Sequence, residues 1–564
     1  MGNLTIVNGL PPKVKKGEMV AMDIEMFGQE VSKLHRPHGT FACITICLER
    51  DGDTVYIVQD TKDLKKVFEL VSSGLWVLHN ARYDFKQLSR WVELKDRFVW
   101  DTMLVDQSQY GGYYSNFGLK DLARRYLGVV MDKETRENFE KMDSMTDEMI
   151  RYAADDASLT LKVAVAQRLT LEDGPGWKAY QTDQRMMFPL LEINGATVDV
   201  GAWEKAIASF QTIADNLQNE LGFNVYSPVQ VVKALKSQGL NLANTQAKTL
   251  AEYSDVPVVK QLMEARMYRK ATSTYGTKWL ENYVEADGKV YSSWNITGAE
   301  TGRMSSSKPN GQNIPARKMP IYRTFFIPSP GGVMVVDDVS QQEPCILAYE
   351  SKDPILTAAI KAGEDLHQAV ADAIHMERAI GKAINLGIGY GLSAHGLSTR
   401  VGMTEAEAEA IITNYFSRFN GVFRWIQSQR DYGRKNGYVK TSSTGRRIYL
   451  NTHSRQWQNN AINAPIQGGA ADFTKHWVRN YWEACHDMDI PYSLCMIVHD
   501  ELVMDVPKQY LKKNREAIDR AFYQTSESLF PGIPFRFELE QGKSWACKQM
   551  SDEIWEDDDE GEDE

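Results

Sequence analysis

Residues 376–391 read MERAIGKAINLGIGYG. Arg378, Lys382, Leu386 and Tyr390 recur every fourth residue, so a helix here lines them along one face. Two cations, an apolar platform and an aromatic ring form a stripe. The cations suit a triphosphate, and the apolar surface beside the ring suits a base and its sugar. Spacing alone also fits an ordinary surface helix. Two acidic strand ends would complete a site. GVMVVDD (332–338) is a short apolar strand ending at Asp338, and LCMIVHDELVMDVP (494–507) reads as a hairpin with Asp500 and Glu501 at its centre. Buried strands would leave these acids with few local partners, and an unpaired buried charge is costly, so a cation is expected nearby. Two such tips together make a two-metal site for phosphoryl transfer. Either tip alone also fits a solvated turn.

Outward from that stretch, 354–430 is helical in pattern and 181–300 mostly so. Residues 1–170 alternate strand-like and helix-like segments, as an α/β domain does. Strands are expected at 18–26, 41–49, 53–60 and 75–80, and a long helix at 146–169. LEDGPGWKAY (171–180) marks a boundary. The chain has 564 residues, enough for about three or four domains. It is 43% hydrophobic and 25% charged, ordinary for a globular protein. No run of about 18 apolar residues predicts a membrane span. The N-terminus has no signal-peptide core, and Ile6 breaks the myristoylation pattern, so a cytoplasmic protein is expected. Six cysteines without a CxxC pair argue against a disulfide scaffold or structural zinc. The net charge is −11, but residues 551–564 hold ten acids and no base. The rest is nearly neutral and can carry a basic groove. The tail is expected to be disordered, either as a solubilising terminus, as a docking segment for a basic partner, or as a nucleic-acid mimic that discourages stray binding.

Three acidic clusters stand out near the N-terminus. Asp23 and Glu25 share one face of an apolar strand, where they repel unless a cation sits between them. Mg²⁺, a hard ion that takes oxygen ligands, is the natural guest. HNARYDFKQL (79–88) sets Asn80 and Asp84 one helical turn apart, and RYAADD (151–156) does the same for Tyr152 and Asp156. Each cluster alone also fits surface acids. Together, four carboxylates could hold two metals about 3.5–4 Å apart for in-line water attack on a phosphodiester, with Tyr152 orienting the water.

These clusters resemble a DEDD-type 3′–5′ exonuclease with the tyrosine variant of its third motif. The resemblance implies a ribonuclease-H-like sheet and two metals held by Asp23, Glu25, Asp84 and Asp156. Asp155 is one residue off register and is excluded. The rest resembles a family A DNA polymerase of the bacterial DNA polymerase I type. TGRMSSSKPNGQNIP (301–315) looks like that family's signature; DDVSQQE (337–343), RAIGKAINLGIGYG (378–391) and VHDE (498–501) occupy its motifs A, B and C. GYVKTSSTGRR (437–447), NAPIQGGAAD (463–472) and GKSW (542–545) match further stretches.

The resemblance implies α/β and α+β multidomain architecture: an exonuclease domain (1–175), a right-hand polymerase domain (176–550) and the acidic tail. The thumb would span about 185–300, the fingers about 354–431, and the palm about 301–353 and 432–550. Asp338 and Asp500 would hold two Mg²⁺ ions, with the Val339 carbonyl as a further ligand, and Glu501 would support them. Arg378, Lys382 and His367 would bind the triphosphate, with Lys382 also protonating the leaving pyrophosphate. Leu386 lines the nucleotide site and Tyr390 stacks at the templating position. Glu343 would exclude a ribose 2′-hydroxyl. Arg303, Gln467 and His499 would touch the primer–template minor groove. Mn²⁺ is an expected substitute for Mg²⁺. The implied partners are primer–template DNA and dNTPs, bound by a monomer.

Some positions depart from the family pattern. Motif A usually reads DYSQIELR and here reads DVSQQEPC. Pro344 suits a first helical turn, whereas Cys345 removes an arginine. Asn459 stands where a template-contacting arginine is usual. Leu386 lacks a tyrosine hydroxyl, which predicts poor dideoxynucleotide use. No 5′-nuclease precedes Asp23, and 227–303 leaves no room for a thioredoxin-recruiting insertion, so modest processivity and a phage replicative enzyme are expected. The alternatives are an exonuclease without synthesis and a non-catalytic replisome scaffold; RNA synthesis is disfavoured by Glu343.

Overall fold

The computed structural model describes residues 4–28, 39–131, 136–171, 176–316 and 319–547. The acidic tail therefore lies outside the described residues. The N-terminal unit is built on a six-stranded mixed sheet of order β1-β4-β3-β2-β5-β6. The strands are β1 (Thr5–Asn8), β2 (Met19–Phe27), β3 (Thr40–Leu48), β4 (Thr54–Val58), β5 (Leu75–Leu78) and β6 (Val99–Asp101). β2 is central, antiparallel to β3 and parallel to β5. All of its residues are buried except Asp23 and Glu25, which are half-buried, because a period of two sets them on one face. Helix α1 (Ala81–Leu88) follows β5, α2 (Thr102–Gln109) follows β6, and α3 (Asp147–Leu171) packs across β2 and β3.

The C-terminal unit centres on a four-stranded antiparallel sheet. Its middle strand β7 (Gly332–Ser340) lies between β11 (Glu501–Pro507) and β12 (Arg536–Gly542), and β10 (Leu494–Val498) pairs with β11. A small hairpin, β8 (Tyr438–Lys440) and β9 (Arg447–Tyr449), packs on the start of the long helix α9 (Trp457–Asp487). Helices α5 (Val200–Leu221) and α6 (Pro257–Thr274) run together in the expected thumb region, whose outer part has its own small core around Val225, Leu235, Val259 and Leu262. The region 354–436 is helical, including α7 (Leu366–Ile374) and α8 (Arg378–Ile388). No described helix is long and apolar enough to cross a membrane.

One hydrophobic core runs from Met19 in β2 to Trp545 near the C-terminus, so the two units share their packing. A buried ionic cluster joins them as well. Asp183, in α4 (Trp177–Gln184), takes a two-pronged bond from Arg446 (2.8 Å to each oxygen) and another from Lys475. Arg446 also reaches Asp472 at 2.8 Å, and Ser108 of α2 donates to Asp183 at 2.6 Å. Burial pushes the Asp183 carboxyl up, but Arg446 and Lys475 outweigh it and hold the group below the usual carboxylate range.

Candidate active sites

In the N-terminal centre, β2 contributes Asp23 and Glu25 and α3 contributes Asp156. One carboxylate oxygen of each lies within 4.8 Å of the others. Asp84, on α1, is buried and accepts the Ile24 N–H at 3.2 Å, which ties it to the strand between the first two acids. Burial first, and then the charge of Asp23, hold its carboxyl well above the usual range. Tyr152 lies one turn before Asp156 and packs against Phe139, ring centres 6.1 Å apart. Asp155 turns to Arg151 at 3.3 Å. Acids this close cannot all stay ionised without a cation, and an all-oxygen donor set fits a hard divalent ion.

Sequence reasoning missed Asp101, which sets this geometry. Its carboxylate accepts the backbone N–H groups of Asn80 and Ala81 (3.0 and 2.9 Å) and of Met103 and Leu104 (3.0 and 3.2 Å). One side chain thus caps α1 and α2 together. Its signal was an acid directly before a helical run, WDTML. Asn80 itself takes a left-handed conformation (φ 62°) at the start of α1.

The C-terminal centre forms where β7 meets the β10–β11 hairpin. Asp338 lies opposite Glu501 on one side and Glu538 on the other. The Val339 N–H donates to the Asp500 carbonyl at 3.2 Å, fastening the strand end to the hairpin tip. His499, at that tip, takes a left-handed φ of 61°. Burial, then Asp500, Glu501 and Glu538, push the Asp338 carboxyl up to about 7. Burial raises Asp500 too. Asp337, next along β7, points the other way. It is fully buried, neither carboxyl oxygen is hydrogen-bonded, and burial pushes it well above the carboxylate range. Of the two acids ending VMVVDD, only Asp338 belongs to the centre. Carboxylates whose charges push Asp338 up suit a divalent cation, although among the described residues only the N-terminal group brings three ligand oxygens within 4.8 Å of one another.

Glu501 is held rather than free. Arg323 grips both its oxygens (3.2 and 3.0 Å), the Trp545 indole donates at 2.9 Å, and the guanidinium lies 4.2 Å from the indole centre. Arg323 and Glu538 were not singled out in the sequence. Trp545 lies in the GKSW stretch that was.

Across from these acids, α8 buries Gly381, Ala383, Ile384 and Gly387 and exposes Arg378, Lys382 and Leu386, with Tyr390 exposed just beyond its end. A Cβ on Gly381 would stand 2.3 Å from the His367 carbonyl oxygen, so glycine lets α7 and α8 pack closely. The His367 ring contacts the Asn385 amide at 3.1 Å, and Arg378 pairs with Asp365 at 2.6 Å. Lys382 has no hydrogen-bonded or ion-paired partner among the described residues. Glu343 accepts from Arg303 at 2.6 Å and from the Tyr390 hydroxyl at 2.9 Å. Tyr390 also bonds to Gln467. Motif A's altered residues fit quietly: Pro344 lies in the first turn of the helix Gln342–Ser351, and Cys345 is buried.

Comparison with known proteins places both units. A 3′–5′ exonuclease family model matches residues 8–172, and the model for DNA polymerase family A matches residues 199–547. The chain belongs to DNA polymerase family A. It is 32% identical to DNA polymerase I of Pseudomonas aeruginosa, over 94% of this chain and 64% of that protein. It is 30% identical to DNA polymerase I of Rhizobium leguminosarum, over 84% of this chain. The chain spans about half the length of that relative (51%) but 92% of DNA polymerase I of Aquifex aeolicus, to which it is 28% identical. Among solved structures, the POL domain of Pol1 from M. smegmatis, in complex with DNA primer-template and dNTP, superposes with a TM-score of 0.77 at 25% identity. That match covers 94% of this chain and 96% of the other.

Proposed function

We propose that the protein is a template-directed DNA polymerase with a proofreading 3′–5′ exonuclease. The observation that carries this reading is the Asp338–Asp500 pair at the meeting of two strand ends, together with the exposed Lys382 of α8, which has no ion-paired partner among the described residues. In this reading the C-terminal sheet is the palm, the helices around 354–431 the fingers, and those around 185–300 the thumb. Asp338 and Asp500, with the Val339 carbonyl, would hold two Mg²⁺ ions, and Asp23, Glu25, Asp84 and Asp156 two more; Mn²⁺ would substitute. Bound there, divalent ions supply charge neutralisation for phosphoryl transfer.

Arg378, Lys382 and His367 bind the triphosphate of the incoming dNTP. The primer 3′-hydroxyl gives its proton to solvent as its oxygen bonds to the α-phosphorus, the bond from that phosphorus to the bridging oxygen of the β-phosphate breaks, and Lys382 protonates the departing pyrophosphate. Glu343, fixed by Arg303 and Tyr390, occupies the place of a 2′-hydroxyl. Arg303, Gln467 and His499 grip the primer–template near its end, and Lys and Arg contacts make that grip salt-dependent. At the other centre Tyr152 orients water against the terminal phosphodiester of an unpaired 3′ end. The reading extends to a monomeric replicative enzyme of phage type in a bacterial cytoplasm, with the acidic tail docking a replisome partner. Modest processivity belongs to the same reading, on the shortness of the stretch between 227 and 303. The test is a pair of variants: Asp338→Ala should abolish primer extension and leave primer shortening, and Asp23→Ala the reverse. Extension surviving in Asp338→Ala would refute the assignment.

A further inference from the structure

A continuous run of tyrosines crosses the seam between the two units. Tyr113, in the loop after α2, lies 5.0 Å from Tyr449 of β9 (ring centres), Tyr449 lies 5.4 Å from Tyr438 of β8, and Tyr438 lies 5.8 Å from Tyr432. The seam is pinned by the backbone: the Tyr449 N–H donates to the Gly111 carbonyl at 2.9 Å. The two ends of the run are open, Tyr113 being 60% exposed and Tyr432 37%. Cations flank it. Arg447 and Lys440 stand 5.0 and 5.7 Å from the Tyr438 ring. Apart from the buried Arg446, residues 430–447 carry five basic residues against the single acid Asp431. Glu300, beside Gly112, is the acid on the far side of the seam.

A run of rings open at both ends, with half-buried Tyr438 and Tyr449 between them and cations alongside, matches the chemistry of an unpaired nucleic-acid strand, whose bases stack and whose phosphates pair. The position selects the strand. The β8–β9 hairpin packs through Val439 and Ile448 onto Ala461 and Ala464 in the first turns of α9. Asn459 of the same turns fills the space beside Gly391, where a Cβ would come within 2.2 Å of its side chain. The adjacent Tyr390 is the proposed templating residue, and it bonds Gln467 further along α9. The tyrosine run thus adjoins the templating corner through α9.

We propose that this seam takes the unpaired 5′ template strand ahead of the templating position, with bases stacked on Tyr113 and Tyr432 and phosphates met by Arg447 and Lys440. The inference rests on the polymerase reading and assigns the N-terminal unit a share in template binding, separate from its carboxylate centre.

The test measures the affinity of the full-length protein for primer–template DNA with 5′ overhangs of increasing length, using a fluorescent label on the primer. Wild-type affinity should rise with overhang length, and the rise should shrink with added salt. Tyr113→Ala and Tyr432→Ala should each lose about fivefold to tenfold of the long-overhang affinity. Both should bind a one-base overhang, and extend it, as wild type does. Tyr113→Phe, which keeps the ring, should retain the gain. No dependence on overhang length in wild type would overturn the proposal. So would equal losses on short and long overhangs, or weakening only for a primer with a frayed 3′ end, which would assign the seam to the exonuclease. Loss of one-base extension in wild type would instead strike at the polymerase reading itself.

Discussion

The two carboxylate centres hold the same kind of acids in opposite kinds of setting. The N-terminal centre is assembled within one sheet and the two helices lying on it. Its acids sit on regular elements, and Asp101 locks the start of α1, which carries Asp84, to that of α2. The C-terminal centre is divided. Its acids stand on the sheet, while Lys382 and Arg378 stand on a separate helix whose inner face packs by glycine contact on α7. The difference follows from the reactions proposed. Hydrolysis needs water and one strand end, so a rigid pocket suffices. Synthesis must admit a new nucleotide each cycle, which suits cations, here proposed to meet its phosphates, kept on an element apart from the acids.

The sharpest way to break this comparison is to remove one centre at a time. Asp338→Asn should cut primer extension by on the order of a hundred- to a thousandfold while shortening continues; parallel loss of both activities in single-turnover assays would show that the centres are not independent. Lys382→Ala comes next, with extension slowed about a hundredfold if it acts as general acid and hydrolysis of a single strand unchanged.

Asp183→Asn probes what the centres share. It leaves Lys475 buried without its acid and Arg446 with Asp472 alone, and breaking such a cluster costs about 3–5 kcal/mol. Urea unfolding should shift accordingly and both activities should fall together on warming. A shift within error would mean that the shared core alone joins the units.

The smallest effect is electrostatic. The Asp338 carboxyl, raised to about 7, favours the protonated folded state. Its contribution is fully present below the unfolded pKa, near 4, and declines as pH rises through 7. Metal-free protein should therefore lose thermal stability between about pH 4 and pH 7. Mg²⁺ should restore more of it at pH 8, where the acid is ionised. Calorimetry with and without chelator checks this, and Asp338→Asn should flatten the difference.

Much of both centres was legible in the chain. Asp23 and Glu25 announce themselves by strand alternation, and Arg378, Lys382 and Leu386 by helical spacing, because these periods are local. The long strands lie within two residues of their expected bounds at 18–26 and 41–49. β1 and β6, four and three residues long, are too short to show a period. Supporting partners were illegible for a different reason. Arg323 meets Glu501 across 178 residues, and Asp183 meets Arg446 across 263. No local pattern encodes such a pairing; only the packed core creates it. Asp337 and Asp338 look alike in sequence, and strand geometry alone sends one inward and the other to the site.

The most direct test of the account is one tube holding the protein, Mg²⁺ and a labelled primer–template, incubated first without dNTPs and then with them. The account predicts a primer that shortens and then grows to full length. Shortening with no later growth, by protein that still binds the DNA, would contradict it and leave a nuclease on a polymerase scaffold.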